Sequence, residues 1–391
     1  MEHRKLESRL KLFYIVYFAS LAAFLPFLAV YLQGKGLDFG RIGIILAVFS
    51  ITGVAIQPMW GYVSDKLLGK RRTLMVLLLG ATAAALGFNG AYTFASILAV
   101  MLIFVFFQSP AAMVLDSLVY ELAEDNPGMQ YGRFRLMGSF GFAVGALAMG
   151  QFVTRAGVSR IFWVFGALSL VGVLILSGIR SDKRDSHAPL RIEDVGRVLG
   201  DRRVIFFLIA AGILNISIGS NNSYLPVLIL STGGSLSHVG LMSFLIAMVE
   251  LPFFFNGDRL ILRYGPLRML MVSGVIYAGR FFIVSTLDSF IPVMAVQLVQ
   301  GISFAFYMVS SMHYLNSVVP ANMKATAMTV FGAVTVFGNF LGNMFGGQII
   351  ESTGVFVLFK VLAAVSLLSC AVVAYLARIS RNMEDLPEQI K

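Results

Sequence analysis

Twelve apolar runs, near 12–33, 42–66, 73–94, 96–122, 131–154, 160–180, 204–231, 238–262, 267–286, 291–316, 322–351 and 353–378, constrain this chain more than any other feature. A bilayer core about 30 Å thick needs roughly 20 apolar residues per spanning helix. Backbone groups in lipid must find their partners within the chain, so long apolar runs become helices. Of the 391 residues, 58% are hydrophobic and 13% charged, more apolar surface than a water-soluble core hides. These runs predict an all-α membrane protein of twelve transmembrane helices with short connections and no large soluble domain.

The runs fall as six, a gap, and six more. The gap, 181–203, holds Lys183, Arg184, Arg191, Arg197, Arg202 and Arg203 with Asp182, Asp185, Glu193 and Asp194, a composition that cannot enter lipid. It reads as a cytoplasmic linker between an N-terminal six-helix bundle (1–180) and a C-terminal one (204–391). The halves echo each other: Leu25-Pro26, Gly43 and Pro58 recur in order as Leu225-Pro226, Gly240 and Pro252. Internal duplication is what a protein that moves two related bundles about one site would show.

The formal charge of +10 comes from short basic runs between apolar segments, which argues against nucleic acid and for topology. Alternating loops put about 22 of the 30 Lys and Arg on one side, so both termini are expected to be cytoplasmic. The stretch after the charged start, 1–11, reads as a first spanning helix rather than a removable signal. The one cysteine, Cys370, allows no intrachain disulfide. Glycines gather in the fifth segment (Gly138, Gly141, Gly145, Gly150) and the eleventh (Gly332, Gly338, Gly342, Gly346, Gly347). Small residues let helices approach closely in lipid, so these two segments are expected at interfaces that slide or rock, with static close packing as the alternative.

Charged residues well inside the apolar segments are few: Asp116, Arg135, Glu250 and Arg280. Each would cost several kcal/mol facing lipid, so each should face the bundle interior. Two acids and two arginines are expected to converge on a central cavity. Asp116 with Arg135 and Glu250 with Arg280 are the natural pairs, with cross-pairing as the alternative. Asn215, Asn221, Asn222 and Tyr224 add hydrogen-bonding groups beside Pro226, where the seventh helix is expected to break. No phosphate loop, metal cluster or nucleophile constellation is present. No catalytic residue and no cofactor is therefore expected, and an ion gradient is the expected energy source.

The stretch Gly61-Tyr62-Val63-Ser64-Asp65-Lys66-Leu67-Leu68-Gly69-Lys70-Arg71-Arg72 resembles the loop 2–3 signature of the major facilitator superfamily. That resemblance implies the two-bundle fold of the family and a cytoplasmic gate in which Gly61 permits close helix contact and Asp65 pairs with Arg71 or Arg72. One extra residue lies between Asp65 and Gly69 compared with the family pattern. Asn256-Gly257-Asp258-Arg259 through Arg263-Tyr264-Gly265 is a degenerate second copy.

Tyr131-Gly132-Arg133-Phe134-Arg135-Leu136-Met137-Gly138-Ser139-Phe140-Gly141-Phe142, with Phe24-Leu25-Pro26-Phe27 and Gln57-Pro58-Met59-Trp60-Gly61, is similar to the lactose permease and phenylpropionate transporter branch of that superfamily. The resemblance covers essentially the whole chain. It implies that Arg135 and Asp116 grip substrate, that Phe142 stands at an aromatic platform, that Glu250 matches an acid at the sugar site, and that Arg280 matches an arginine that tunes a protonatable carboxylate. That carboxylate and its neighbouring histidine are absent; Ser303 and Gln300 stand there, with Gln297 where a lysine would be. Protons would then travel on Glu250 or Asp116. The expected activity is proton-coupled symport of a small sugar, nucleoside-like or aromatic-acid solute by a monomer in the cell membrane. Export of drugs or lipids by the same fold is the alternative.

Overall fold

A computed structural model describes residues 2–124, 129–179 and 196–384; most of the expected linker, 180–195, lies outside them. The described residues are helical throughout, with no strand among them. The spanning elements are α1 (Glu2–Phe24, continued after a 3-10 turn, Leu25–Phe27, as Leu28–Gly34), α2 (Phe39–Tyr62), α3 (Lys70–Gly87), α4 (Phe94–Gln108 and Ala111–Glu124), α5 (Tyr131–Ala156) and α6 (Ile161–Ser177). They continue as α7 (Arg202–Ser231), α8 (Leu236–Tyr264), α9 (Pro266–Val284), α10 (Phe290–Gln297 and Val299–Val318), α11 (Lys324–Thr353) and α12 (Val355–Glu384).

Eleven of these helices are long and apolar enough to cross a membrane. The twelfth, α3, has 18 residues and opens on Lys70-Arg71-Arg72, so basic groups occupy its first turn.

The backbone divides into two units, Met1–Ala188 with Gly234–Phe244, and Pro189–Gly233 with Leu245–Lys391. The start of α8 groups with the first unit. Gly150 and Gly240 explain this: a Cβ on Gly150 would lie 2.9 Å from the Gly240 Cα, and the Thr154 and Ser237 hydroxyls meet at 2.7 Å.

Each unit is built by one packing scheme. In the first, α1 packs on α5 and α6, and α3 packs on α4 and α6; in the second, α7 packs on α11 and α12, and α9 on α10 and α12. The sequence echo is therefore a repeat of packing. Glycines set the closest approaches. A Cβ on Gly141 would meet the Ile15 carbonyl oxygen of α1 at 2.4 Å, and one on Gly342 the Ile216 carbonyl oxygen of α7 at 2.1 Å. The close contacts of Gly138, Gly141, Gly145 and Gly150, and of Gly338, Gly342 and Gly346, lie inside their own units, as close helix packing in lipid requires.

Aromatic residues fill the first unit's core. Phe24, Phe88, Phe104, Phe162 and Phe165 are buried, and the Phe88 and Phe162 rings stack at 4.1 Å. Pro26 opens the 3-10 turn of α1, but Pro226 lies inside an unbroken α7. The expected break is absent because Tyr224 to Ile229 are all buried against neighbouring helices, which hold the segment helical despite the missing amide.

Candidate functional site

Two polar clusters lie within the apolar helices, one in each unit. In the first, the gap at Ser109-Pro110 divides α4, and the helix resumes to carry Asp116. The Tyr14 hydroxyl of α1 donates to Asp116 Oδ1 at 2.8 Å, and Tyr131 at the start of α5 lies within electrostatic reach of the same carboxylate. Tyr131 is held in place by stacking on Tyr120 at 4.6 Å.

Arg135 follows one turn later, exposed, with its guanidinium 4.8 Å from the Phe18 ring centre. Gly138 makes room for that ring, since a Cβ there would lie 2.7 Å from it. Asp116 and Arg135 form no ion pair, contrary to the expected pairing. The Tyr14 hydroxyl bonds the carboxylate, and an aromatic face supports the cation. Phe142 is half-buried on the Arg135 face of α5, seven residues on. Tyr17 of α1 is buried, and its hydroxyl has no hydrogen-bond partner among the described residues.

In the second unit, α10 is interrupted at Leu298, between Gln297 and Gln300. Arg280 on α9 is 3% exposed and donates through Nη1 to Gln297 Oε1 and, at 2.9 Å, to Gln300 Oε1. Gln300 Oε1 also accepts from Asn221 Nδ2 at 2.9 Å, and its Nε2 donates to Asn222 Oδ1 at 3.1 Å. Gln297 Nε2 donates to Asn221 Oδ1 at 3.3 Å. The Tyr277 and Phe281 rings lie 5.1 and 4.5 Å from the Arg280 Cζ.

Glu250 on α8 is half-buried. Gly301 brings α10 against this stretch, since a Cβ there would lie 2.9 Å from the Glu250 backbone nitrogen. Tyr277 lies within electrostatic reach of both Glu250 and Arg280, yet these two form no ion pair either. Amide oxygens take the place of the acid beside Arg280. Glu250 has neither a hydrogen-bond nor an ion-pair partner among the described residues.

The loop 2–3 stretch also differs from expectation. Val63–Leu68 is a π-helical turn, the usual way a helix absorbs an inserted residue. Gly69, at φ 77°, then starts α3 afresh. Arg71 does not pair with Asp65: its Nε donates to Leu176 O at 3.0 Å and its Nη2 to Ser177 O at 3.2 Å, capping the C-terminus of α6. Asp65 has no ion-pair partner among the described residues. Arg72 is exposed. A Cβ on Gly61 would meet only Met113 Cε, at 3.7 Å, an ordinary contact, so close packing does not require glycine there. The buried ion pair of this region is Lys70 with Glu121, at 2.7 Å.

Sequence reasoning missed the roles of Glu121, Lys70, Tyr14 and Tyr131; it noted Gln297, Gln300 and Asn221 but did not join them to Arg280. Polar groups in apolar runs were the available signal for the amides and for Glu121. Tyrosines give none, because they suit apolar and polar surroundings equally.

A repeated six-helix unit with charged and amide side chains buried at membrane depth defines a secondary transporter. The chain belongs to the MFS_1 like family of the major facilitator superfamily, whose model matches residues 8–361. It is 30% identical over 381 residues to the maltose permease of Geobacillus stearothermophilus, covering 95% of this chain and 94% of that one. It is 26% identical to the probable 3-phenylpropionic acid transporter of Escherichia coli (strain K12), covering 86% and 91%. Among solved structures, the nucleoside transporter NupG superposes with a TM-score of 0.86 at 19% identity, over 95% of this chain and 98% of that one. That likeness shows the fold: twelve helices in two pseudo-symmetric bundles.

Proposed function

We propose that this protein is a proton-coupled symporter of a small organic solute, drawn from the sugar, nucleoside and aromatic-acid classes. It works by alternating access, as a monomer, in the cell membrane with both termini cytoplasmic. The names of the relatives support the solute classes: maltose, a nucleoside and 3-phenylpropionic acid. One observation carries the coupling. Glu250 sits in a spanning helix with no cation and no hydrogen-bond donor holding its charge among the described residues, so it takes up and releases a proton without breaking an ion pair there.

In this reading Asp116, Arg135, Phe142, Asn222, Glu250 and Arg280 handle the solute, and Glu250 and Asp116 carry protons. Gly61, Asp65, Arg71 and Arg72 form the cytoplasmic gate, with Arg71 acting through the end of α6. No cofactor enters the cycle; the proton gradient supplies the energy.

Uptake of labelled sugars, nucleosides and aromatic acids into proteoliposomes, with and without an inward proton gradient, tests this. Gradient-stimulated uptake lost in Arg135→Ala and Glu250→Gln is expected. Outward movement of a drug or lipid, with none of these solutes taken up, would replace symport by export.

A further inference from the structure

The donors and acceptors around Arg280 name a ligand group. Arginine has only donors, so the two side chains it meets through Nη1, Gln297 and Gln300, must turn their carbonyl oxygens toward it. Their NH2 groups then face the oxygens of Asn221 and Asn222, as the contacts above record. All four amide oxygens in this ring are thereby engaged as acceptors. The groups left over are donors: Arg280 Nε and Nη2, both buried and without a partner among the described residues, and the Asn222 NH2 group.

Nε and Nη2 share one edge of the guanidinium and point the same way. That edge is the side-on fork that receives two oxygens of a carboxylate. The Tyr277 and Phe281 rings flank Arg280. No carboxylate of the described residues pairs with it, so the buried cation keeps an unmatched charge, a costly arrangement unless an anion arrives. A sugar hydroxyl fits less well. It carries no charge to match the guanidinium, and one hydroxyl oxygen meets one donor of the fork where a carboxylate meets both.

From this arrangement we infer that the second unit binds a carboxylate of the transported solute at the Arg280 fork, with the amide ring holding the guanidinium in position. Carrying solute is the function proposed above, and this inference rests on that reading while narrowing its substrate to organic anions.

The test uses the full-length purified protein at neutral pH. Thermal stabilisation is measured with 3-phenylpropionate, gluconate and orotate, and with the uncharged 3-phenylpropionamide, maltose and uridine. At least one carboxylate should bind about tenfold or more tightly than its uncharged counterpart, the factor expected for one lost charge-assisted bond. Arg280→Gln should abolish that preference, and Arg280→Lys, which keeps the charge without the fork, should restore only part of it. A wild-type protein that binds no carboxylate, or binds the amide as tightly as the acid, overturns the inference without reference to any variant. So does a folded Arg280→Gln protein that keeps the preference. Solute counterflow in proteoliposomes separates the two readings. Exchange of maltose or uridine alone leaves transport standing and removes the carboxylate site. Exchange of nothing removes transport, while the binding comparison still decides the site.

Discussion

Lys70 and Glu121 form an ion pair of 2.7 Å between α3 and α4, with side chains only 4% and 1% exposed. Two charges so far from water hold each other at the cost of their hydration, and removing one takes a buried counter-charge from the other. Lys70→Met or Glu121→Gln alone should lower stability by about 3–5 kcal/mol, the range for breaking a buried pair. The double change Lys70→Met with Glu121→Leu should recover most of it. Thermal unfolding in detergent checks this; losses that simply add in the double variant would contradict it.

Arg71 binds the last carbonyls of α6 from the start of α3. Arg71→Ala leaves Leu176 O and Ser177 O without that partner. About 1 kcal/mol should be lost, the low end for a charged donor because the site is half-exposed. Hydrogen exchange should show the C-terminal turn of α6 opening more readily, with the middle of α6 unchanged.

Two glycines of α11 should respond in opposite directions to alanine. At Gly342 the new methyl would meet the Ile216 carbonyl oxygen at 2.1 Å, so α7 and α11 must separate. Gly342→Ala should cost about 1–3 kcal/mol, as overpacking does. At Gly332 no atom lies within 4 Å of the methyl, and Gly332→Ala should gain about 0.5–1 kcal/mol from helix propensity. Melting temperatures of the two variants give both signs.

Asp201 caps the start of α7 through the Arg203 amide at 2.7 Å and pairs with the Arg203 guanidinium at 2.8 Å. Burial alone would raise its carboxyl, but the Arg203 side chain and backbone hydrogen bonds outweigh that and hold it below its ordinary value. A carboxyl lowered in the folded state stabilises the fold above its unfolded pKa, and that stability disappears as pH falls through the folded value. Asp201→Ala should therefore cost about 1 kcal/mol at neutral pH and nothing at strongly acid pH. A difference that persists unchanged into acid would contradict the capping role.

The spanning helices were legible because a run of about 20 apolar residues has few other fates. Asp116, Arg135, Glu250 and Arg280 were legible because charge inside such a run is costly. Their partners were not. Pairing by neighbourhood put Asp116 on Arg135, whereas in space the Tyr14 hydroxyl bonds Asp116. The interruptions at Ser109-Pro110 and Leu298, and the π turn before Gly69, shift which faces of α4, α10 and α3 meet their neighbours. None of this follows from hydropathy. Lys70 looked like ordinary loop charge, since the sequence does not say how deeply a helix end is buried.

Proton coupling through Glu250 is the central claim, and proton movement itself tests it most directly. Proteoliposomes in a lightly buffered medium are given a solute that the wild-type protein carries, and external pH is followed. The account predicts alkalinisation with wild type on solute addition. With Glu250→Gln it predicts none, while counterflow exchange of the same solute persists. Solute-driven alkalinisation by Glu250→Gln, or uptake by wild type with no proton movement, would contradict it.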